Sequence, residues 1–201
     1  MNSQGGCILA MKGKNCVAIA SDTGFHGERY IIGTNTPKVF KIHDKLFVGL
    51  SGLLSDVSSI KQILDYEVSN FLIKENRFPN HFEVTTILSN LLYKNRFSPF
   101  FIEPILAGLD KNNNPLISSM DMIGATSNSY KFSVSGVCAD ELYGICESLW
   151  KPDMCEKELF ETTCRCINLA TNRDCLSGWG ANIHIVTKNK ILSKKLELRA
   201  D

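Results

Sequence analysis

No stretch of the chain approaches the roughly 20 consecutive apolar residues that a membrane-spanning helix requires. Neither sign of charge is in excess: 22 Lys and Arg stand against 21 Asp and Glu, a net charge of +1. That balance leaves no basic face to hold nucleic acid and no acidic tail. The opening Met1-Asn2-Ser3-Gln4-Gly5-Gly6 lacks both the charged and the apolar region of a secretory leader. A soluble protein of the cytoplasm and nucleus is expected, with no nucleic-acid and no membrane partner.

Paired C-x-x-C knuckles are also missing. The eight cysteines are Cys7, Cys16, Cys138, Cys146, Cys155, Cys164, Cys166 and Cys175. The spacing of Cys155, Cys164, Cys166 and Cys175 hints at zinc, but three of them fall on one expected helix, and structural zinc sites favour knuckles. All eight therefore read as reduced thiols, most of them serving as small apolar residues. Repeats, linkers and low-complexity blocks are absent as well, so the 201 residues read as one domain, 1–201.

What is present is a pattern that changes period. Apolar runs at 7–11 and 16–21 flank Gly13-Lys14-Asn15 and read as a hairpin. A second hairpin joins 38–42 to 46–50 across His43-Asp44-Lys45. Val57, Ile60, Leu64, Val68 and Phe71 then recur at helical spacing, followed by Val84, Ile87, Leu88, Leu91 and Leu92 on a second helix. Strands return at 102–109 and 116–122 around the turn-rich 110–115. Two further helices carry Leu142, Ile145, Cys146 and Leu149, then Leu159, Thr163, Cys166, Ile167 and Ala170. Between them Pro152-Asp153, with Glu156 three residues on, reads as a cap. A last hairpin joins 181–187 to 191–196. Helices that come in pairs between hairpins exclude a doubly wound sheet. They imply an α+β fold, a four-layer α/β/β/α sandwich with one helix pair covering each of two packed sheets.

Five segments, in order and at matching spacing, resemble the beta subunits of the eukaryotic 20S proteasome over nearly the whole chain. They are Leu9-Ala10-Met11-Lys12 through Val17-Ala18-Ile19-Ala20-Ser21-Asp22, Thr36-Pro37-Lys38-Val39-Phe40, Gly49-Leu50-Ser51-Gly52-Leu53-Leu54-Ser55-Asp56, Val134-Ser135-Gly136 and Asn172-Arg173-Asp174-Cys175-Leu176-Ser177-Gly178. Gly5-Gly6, Glu103-Pro104, Ala107-Gly108-Leu109-Asp110 and Cys146-Glu147-Ser148-Leu149-Trp150 resemble the type-3 branch of that family. The likeness implies the fold of the N-terminal-nucleophile hydrolases. Only about six residues precede the first strand, too few for the stable extra helix that alpha-type subunits carry there.

Active members of that family use the hydroxyl of an N-terminal threonine as the nucleophile. The alignment runs without gaps through Asp22 and puts Gly6 at the threonine position. The resemblance also places Asp22, Lys38, Ser135, Asp174 and Ser177 at the positions that support the threonine. With no side chain to attack a carbonyl, the chain is expected to be inactive, its Asp22–Lys38 pair and Asp174–Ser177 turn being structural. The alternative is a hydrolase that uses Cys7 after processing. But Cys7 is one residue further along a strand and faces away from Lys38. Thr23, Thr34 and Thr36 lie inside the chain, and His26, His43, His81 and His184 read as surface or turn residues with no G-x-S-x-G partner.

The resemblance implies a place in a heteromeric seven-membered beta ring, in a particle of two beta rings stacked between two alpha rings. Other proteasome beta and alpha subunits are the implied partners, and protein and peptide substrates the contents of the chamber. It places Asp121, on a strand, and the following matched position, Ala125, at the lining of a neighbouring trypsin-like subunit's pocket, where a carboxylate favours basic side chains. No cofactor is required. A structural magnesium is implied at Thr171, Asp174, Ser177 and Asp201, whose oxygens suit a hard cation.

Overall fold

The computed structural model describes residues 6–27 and 30–199. The first hairpin is β1 (Cys7–Lys12) and β2 (Cys16–Asp22), nearly all of it buried. Two short strands follow, β3 (Phe25–His26) and β4 (Ile31–Gly33). Then come β5 (Val39–His43) and β6 (Leu46–Gly52), and the helices α1 (Leu54–Glu75) and α2 (His81–Lys94). Strands β7 (Ile102–Leu109), β8 (Pro115–Met120), β9 (Thr126–Asn128) and β10 (Phe132–Gly136) lead into α3 (Ala139–Leu149) and α4 (Glu156–Thr171). The hairpin of β11 (Gly180–Thr187) and β12 (Ile191–Glu197) completes the order.

One sheet runs β10-β1-β2-β11-β12 and a second β5-β6-β7-β8-β9, with β3 and β4 as a separate ribbon. Period-two alternation sorts the side chains into three cores. Leu9, Met11, Ala18, Ala20, Ile183 and Ile185 face α3 and α4, meeting Leu142, Leu159 and Ile167. Val48, Leu50 and Leu106 face α1 and α2, meeting Ile60, Leu64, Leu88 and Leu92. The opposite parity of both sheets, including Ile8, Ala10, Ile19, Ile105, Ala107 and Ile117, fills the space between them. The four-layer α/β/β/α sandwich follows directly, and each fully buried Leu or Ile contributes about 1.5–3 kcal/mol relative to exposure.

Helix ends obey local rules. Asn80 accepts the Glu83 amide at 3.0 Å, while the Glu83 carboxylate accepts the Asn80 amide at 2.6 Å, a reciprocal cap that starts α2. The Arg77 guanidinium beside Glu83 holds that carboxyl down at about 2. At the end of α1, Asn76 adopts φ 53° and returns its N–H to Leu72, the left-handed exit that asparagine tolerates.

Three sequence expectations change. The cap of α4 is not Asp153 with Glu156; the Glu158 carboxylate accepts the Cys155 amide at 2.9 Å, and Asp153 instead takes a left-handed φ of 57° in the preceding turn. Val134-Ser135-Gly136, a turn in the family that it resembles, is strand through Gly136, the turn following at Val137-Cys138. Asp121 lies just past β8, in the connection to β9, not on a strand.

Candidate functional site

Gly6 stands at the entrance to β1 with φ +105°, a conformation that L side chains rarely adopt. A Cβ built on it would lie 2.6 Å from Lys38 Cε and 3.1 Å from Lys38 Nζ. The lysine stem therefore fills the space into which a side chain at this position would project. Gly136 closes the other side: a Cβ there would lie 2.3 Å from the Gly6 carbonyl oxygen, and that carbonyl accepts the Val137 amide at 2.9 Å.

Lys38 reaches across from the edge of β5 in one sheet to the end of β2 in the other. Its ammonium donates to Asp22 Oδ1 at 2.8 Å, to the Gly24 carbonyl at 2.7 Å and to the Asp22 carbonyl at 3.3 Å. The pair is buried, with side-chain exposures of 9% and 0%. Asp22 Oδ1 also accepts the Cys7 amide at 2.8 Å. The Gly6 amide donates to Ser177 Oγ at 3.3 Å, and Ser177 in turn donates to Asp174, whose other oxygen accepts the Leu176 amide at 3.0 Å. Asp22, Lys38, Asp174 and Ser177 are thus gathered around Gly6. Asp22 Oδ2, Ser21 Oγ and Thr23 Oγ1 are buried nearby without a hydrogen-bond partner among the described residues.

Ser135 belongs to an adjoining network instead. It contacts Ser51 Oγ and lies 3.1 Å from Glu103 Oε2, and Ser51 donates to the Glu103 carbonyl at 3.2 Å. Ser51 and Glu103 fall within the resembling segments, but sequence alone assigns neither a role at the site; a serine at a strand end and an exposed glutamate do not by themselves mark one.

Cys7 points into the core beneath α3 and α4. Its bond to Cys138, then its burial, push the thiol well above the ordinary range, so it is not poised as the thiolate that nucleophilic chemistry needs. Cys155 and Cys175 are exposed, whereas Cys138, Cys146 and Cys166 are buried.

Two histidines differ from the expected surface placement. His26 and His81 are buried. His81 Nε2 meets Ser118 Oγ at 2.8 Å, while Ser118 donates to Asn128 Oδ1 at 2.6 Å. The serine proton is turned away from the ring, so this is not a nucleophile with its base. His184 stacks on Phe47 with ring centroids 5.0 Å apart and bonds Ser193.

Asp121 is exposed, and its Oδ1 accepts the Ile123 and Ala125 amides at 3.1 and 2.7 Å, which shapes the turn. Thr171 donates its hydroxyl to Ile167 within α4 at 2.9 Å. Asp174 and Ser177 are bonded to each other, and Asp201, also named for a hard cation, lies outside the described residues. Among the described residues no cluster of three or more His, Cys, Asp or Glu is arranged to hold a metal, and no helix is long and apolar enough to cross a membrane.

Comparison with known proteins gives a consistent result. The family described as proteasome subunit matches residues 2–186. The chain is 43% identical over 202 residues to proteasome subunit beta type-3 of Dictyostelium discoideum, covering 100% of this chain and 98% of that protein. It is 43% identical over 198 residues to the Drosophila melanogaster protein of the same name, covering 98% and 97%. To the probable proteasome subunit beta type-3 of Schizosaccharomyces pombe it is 37% identical over 201 residues, covering 100% and 98%.

Proposed function

The chain belongs to the proteasome subunit family, and from that premise we propose that it is a non-catalytic, beta-type member of the ring that encloses the proteolytic chamber. The observation that carries this reading is Gly6. The supporting groups Asp22, Lys38, Asp174 and Ser177 converge on it, and it has no side chain. No acyl transfer can start without a nucleophile. The buried oxygens left without partners on Ser21, Asp22 and Thr23 fit an arrangement built for chemistry and retained as structure, since native cores seldom leave such groups unpaired.

The subunit works through its neighbours. It takes one place in a heteromeric beta ring between alpha rings, in cytoplasm and nucleus, and proteins unfolded into the chamber are cut by adjoining active subunits. Asp121, with Ala125 beside it, presents a carboxylate to the substrate channel of a trypsin-like neighbour and favours basic side chains. A magnesium ion at the Thr171–Ser177 turn would take oxygens of Thr171, Asp174 and Ser177, with Asp201 as the further ligand, as a hard cation prefers; manganese titration of the particle with magnetic-resonance readout tests it.

The central test uses the purified particle. A peptide electrophile that acylates N-terminal nucleophiles should add mass to the active subunits and none to this chain. A mass adduct on Cys7 would overturn the non-catalytic reading. For the pocket, an Asp121→Asn particle should lose cleavage after basic residues selectively. Unchanged cleavage of basic and apolar substrates alike would remove that role.

A further inference from the structure

Four cysteines lie together in the core between the first sheet and its helices. Cys7 comes from β1, Cys138 from the start of α3, Cys146 from within α3 and Cys166 from α4, and all four are fully buried. They form two bonded pairs, Cys7 with Cys138 and Cys146 with Cys166. All four are free thiols.

The two pairs differ in chemistry. Cys7 is held protonated by its bond to Cys138, by burial and by the nearby Asp22 carboxylate. In the second pair the Cys146 thiol donates its proton to the Cys166 sulfur. That bond, with burial after it, pushes Cys146 far up, and the same bond brings Cys166 below its ordinary value. Cys166 is therefore the sulfur that ionises, and Cys146 stands in contact with it as a resolving thiol, the pairing typical of oxidisable cysteines.

The pair also lies near an opening. A cavity of about 520 Å³ between the end of α3 and α4 is lined by Leu149, Met154, Thr162 and Arg165 among others. Leu149 lies three residues from Cys146 and Thr162 four from Cys166, so each stands one turn along the helix face that carries its thiol. A small oxidant in the cavity has one turn of packing to cross.

We propose that Cys146 and Cys166 form a reversible dithiol–disulfide couple, oxidised by a hydroperoxide such as hydrogen peroxide and restored by a thiol reductant, that staples α3 to α4. The Cys166 thiolate attacks a peroxide oxygen; the O–O bond breaks, hydroxide leaves and takes up the proton that Cys166 gave off, and Cys166 becomes a sulfenic acid. The Cys146 sulfur then attacks the Cys166 sulfur. The S–S bond forms, and the hydroxyl departs with the Cys146 proton as water. Two thiols lose two electrons and two protons, and one peroxide becomes two waters. Bonded thiols need to close by only about 1–2 Å to reach the roughly 2.05 Å of a disulfide. The staple joins the two helices that cover β1 and β2, the hairpin that begins at the Gly6 site.

The test uses the assembled particle, treated with graded hydrogen peroxide, quenched with catalase, unfolded in iodoacetamide and digested without reductant. The Cys146 peptide should be joined to the Cys166 peptide, this chain should be lighter by two hydrogens, and alkylation should be lost at both residues. Dithiothreitol should reverse all three. A Cys146→Ala particle, oxidised and then unfolded in dimedone, should carry the adduct on Cys166; a Cys166→Ala particle should carry none on Cys146. Full alkylation of both thiols at peroxide doses that already oxidise exposed Cys155 and Cys175 would overturn the proposal. So would a bridge from either residue to any other cysteine. The mapping on the unaltered particle decides the matter even where neither variant assembles.

Discussion

Lys38 and Asp22 form a buried ion pair 2.8 Å long that links the two sheets of the sandwich. The same Asp22 oxygen receives the Cys7 amide, so the pair also holds the start of β1. Removing one partner strands a buried charge. Lys38→Met should destabilise the fold by about 3–5 kcal/mol, and Asp22→Asn with Lys38→Met should cost less than the sum of the two. Hydrogen exchange of the β1 amides in the particle reads both, with faster exchange at Cys7 in the single variants.

Gly6→Thr should not create an active site. The added Cβ meets the Lys38 stem, and a non-glycine residue at this positive φ costs about 1–3 kcal/mol. The expected outcome is poorer incorporation into the particle and no acyl adduct on this chain by intact mass. An adduct on residue 6 would mean that Lys38 withdraws freely.

The layers were legible because the helical and alternating periods are strong where faces are buried. Val57, Ile60 and Leu64 announce α1, and Leu9, Met11, Ala18 and Ala20 announce one face of the first hairpin. Strands β9 and β10 escaped notice for the opposite reason. Thr126-Ser127-Asn128 is wholly polar and exposed, and β10 has only Phe132 and Val134 to alternate with Ser133 and Ser135, two apolar side chains being too short a run to stand out. Asp22 and Lys38 were placed together by motif; the crowding of Gly6 by Lys38 was not, since it depends on a side chain crossing between sheets that sequence spacing does not encode.

Burial brings the His81 pKa from its ordinary value to about 4. Its unfolded-state pKa is higher, so between about pH 6.5 and 4 the unfolded chain binds the proton that the folded chain refuses, and stability falls as pH falls through that window. The loss totals roughly 3 kcal/mol, at 1.36 kcal/mol per pH unit. His81→Gln should flatten the acid limb of a stability-against-pH curve measured by denaturant unfolding; an unchanged limb would place the titration elsewhere.

Alkylation should discriminate among the thiols. Exposed Cys155 and Cys175 should react first with iodoacetamide. Cys16, pushed up to about 11 by burial first and by neighbouring acidic groups after it, should lag, and buried Cys138 should react only on unfolding. Peptide mapping after timed quench reads the order.

Glu83→Ala removes the reciprocal cap of α2 and the partner of Arg77 together. A loss of about 1 kcal/mol is expected, visible as fraying of residues 81–84 in hydrogen exchange while α1 is unaffected.

The directed bonds between the two sheets described at the Gly6 site, Lys38 to Asp22 and Ser51 to Ser135, sit at one end of the sandwich. Much of the remaining interface is apolar contact such as Ile8, Ile19, Ile105 and Ile117, which has no preferred direction. Mechanically this makes the domain a hinge with a pinned end. Small shears of one sheet over the other would pivot at the Gly6 end and grow with distance from it, so the strand ends farthest from Gly6 have the most freedom to slide.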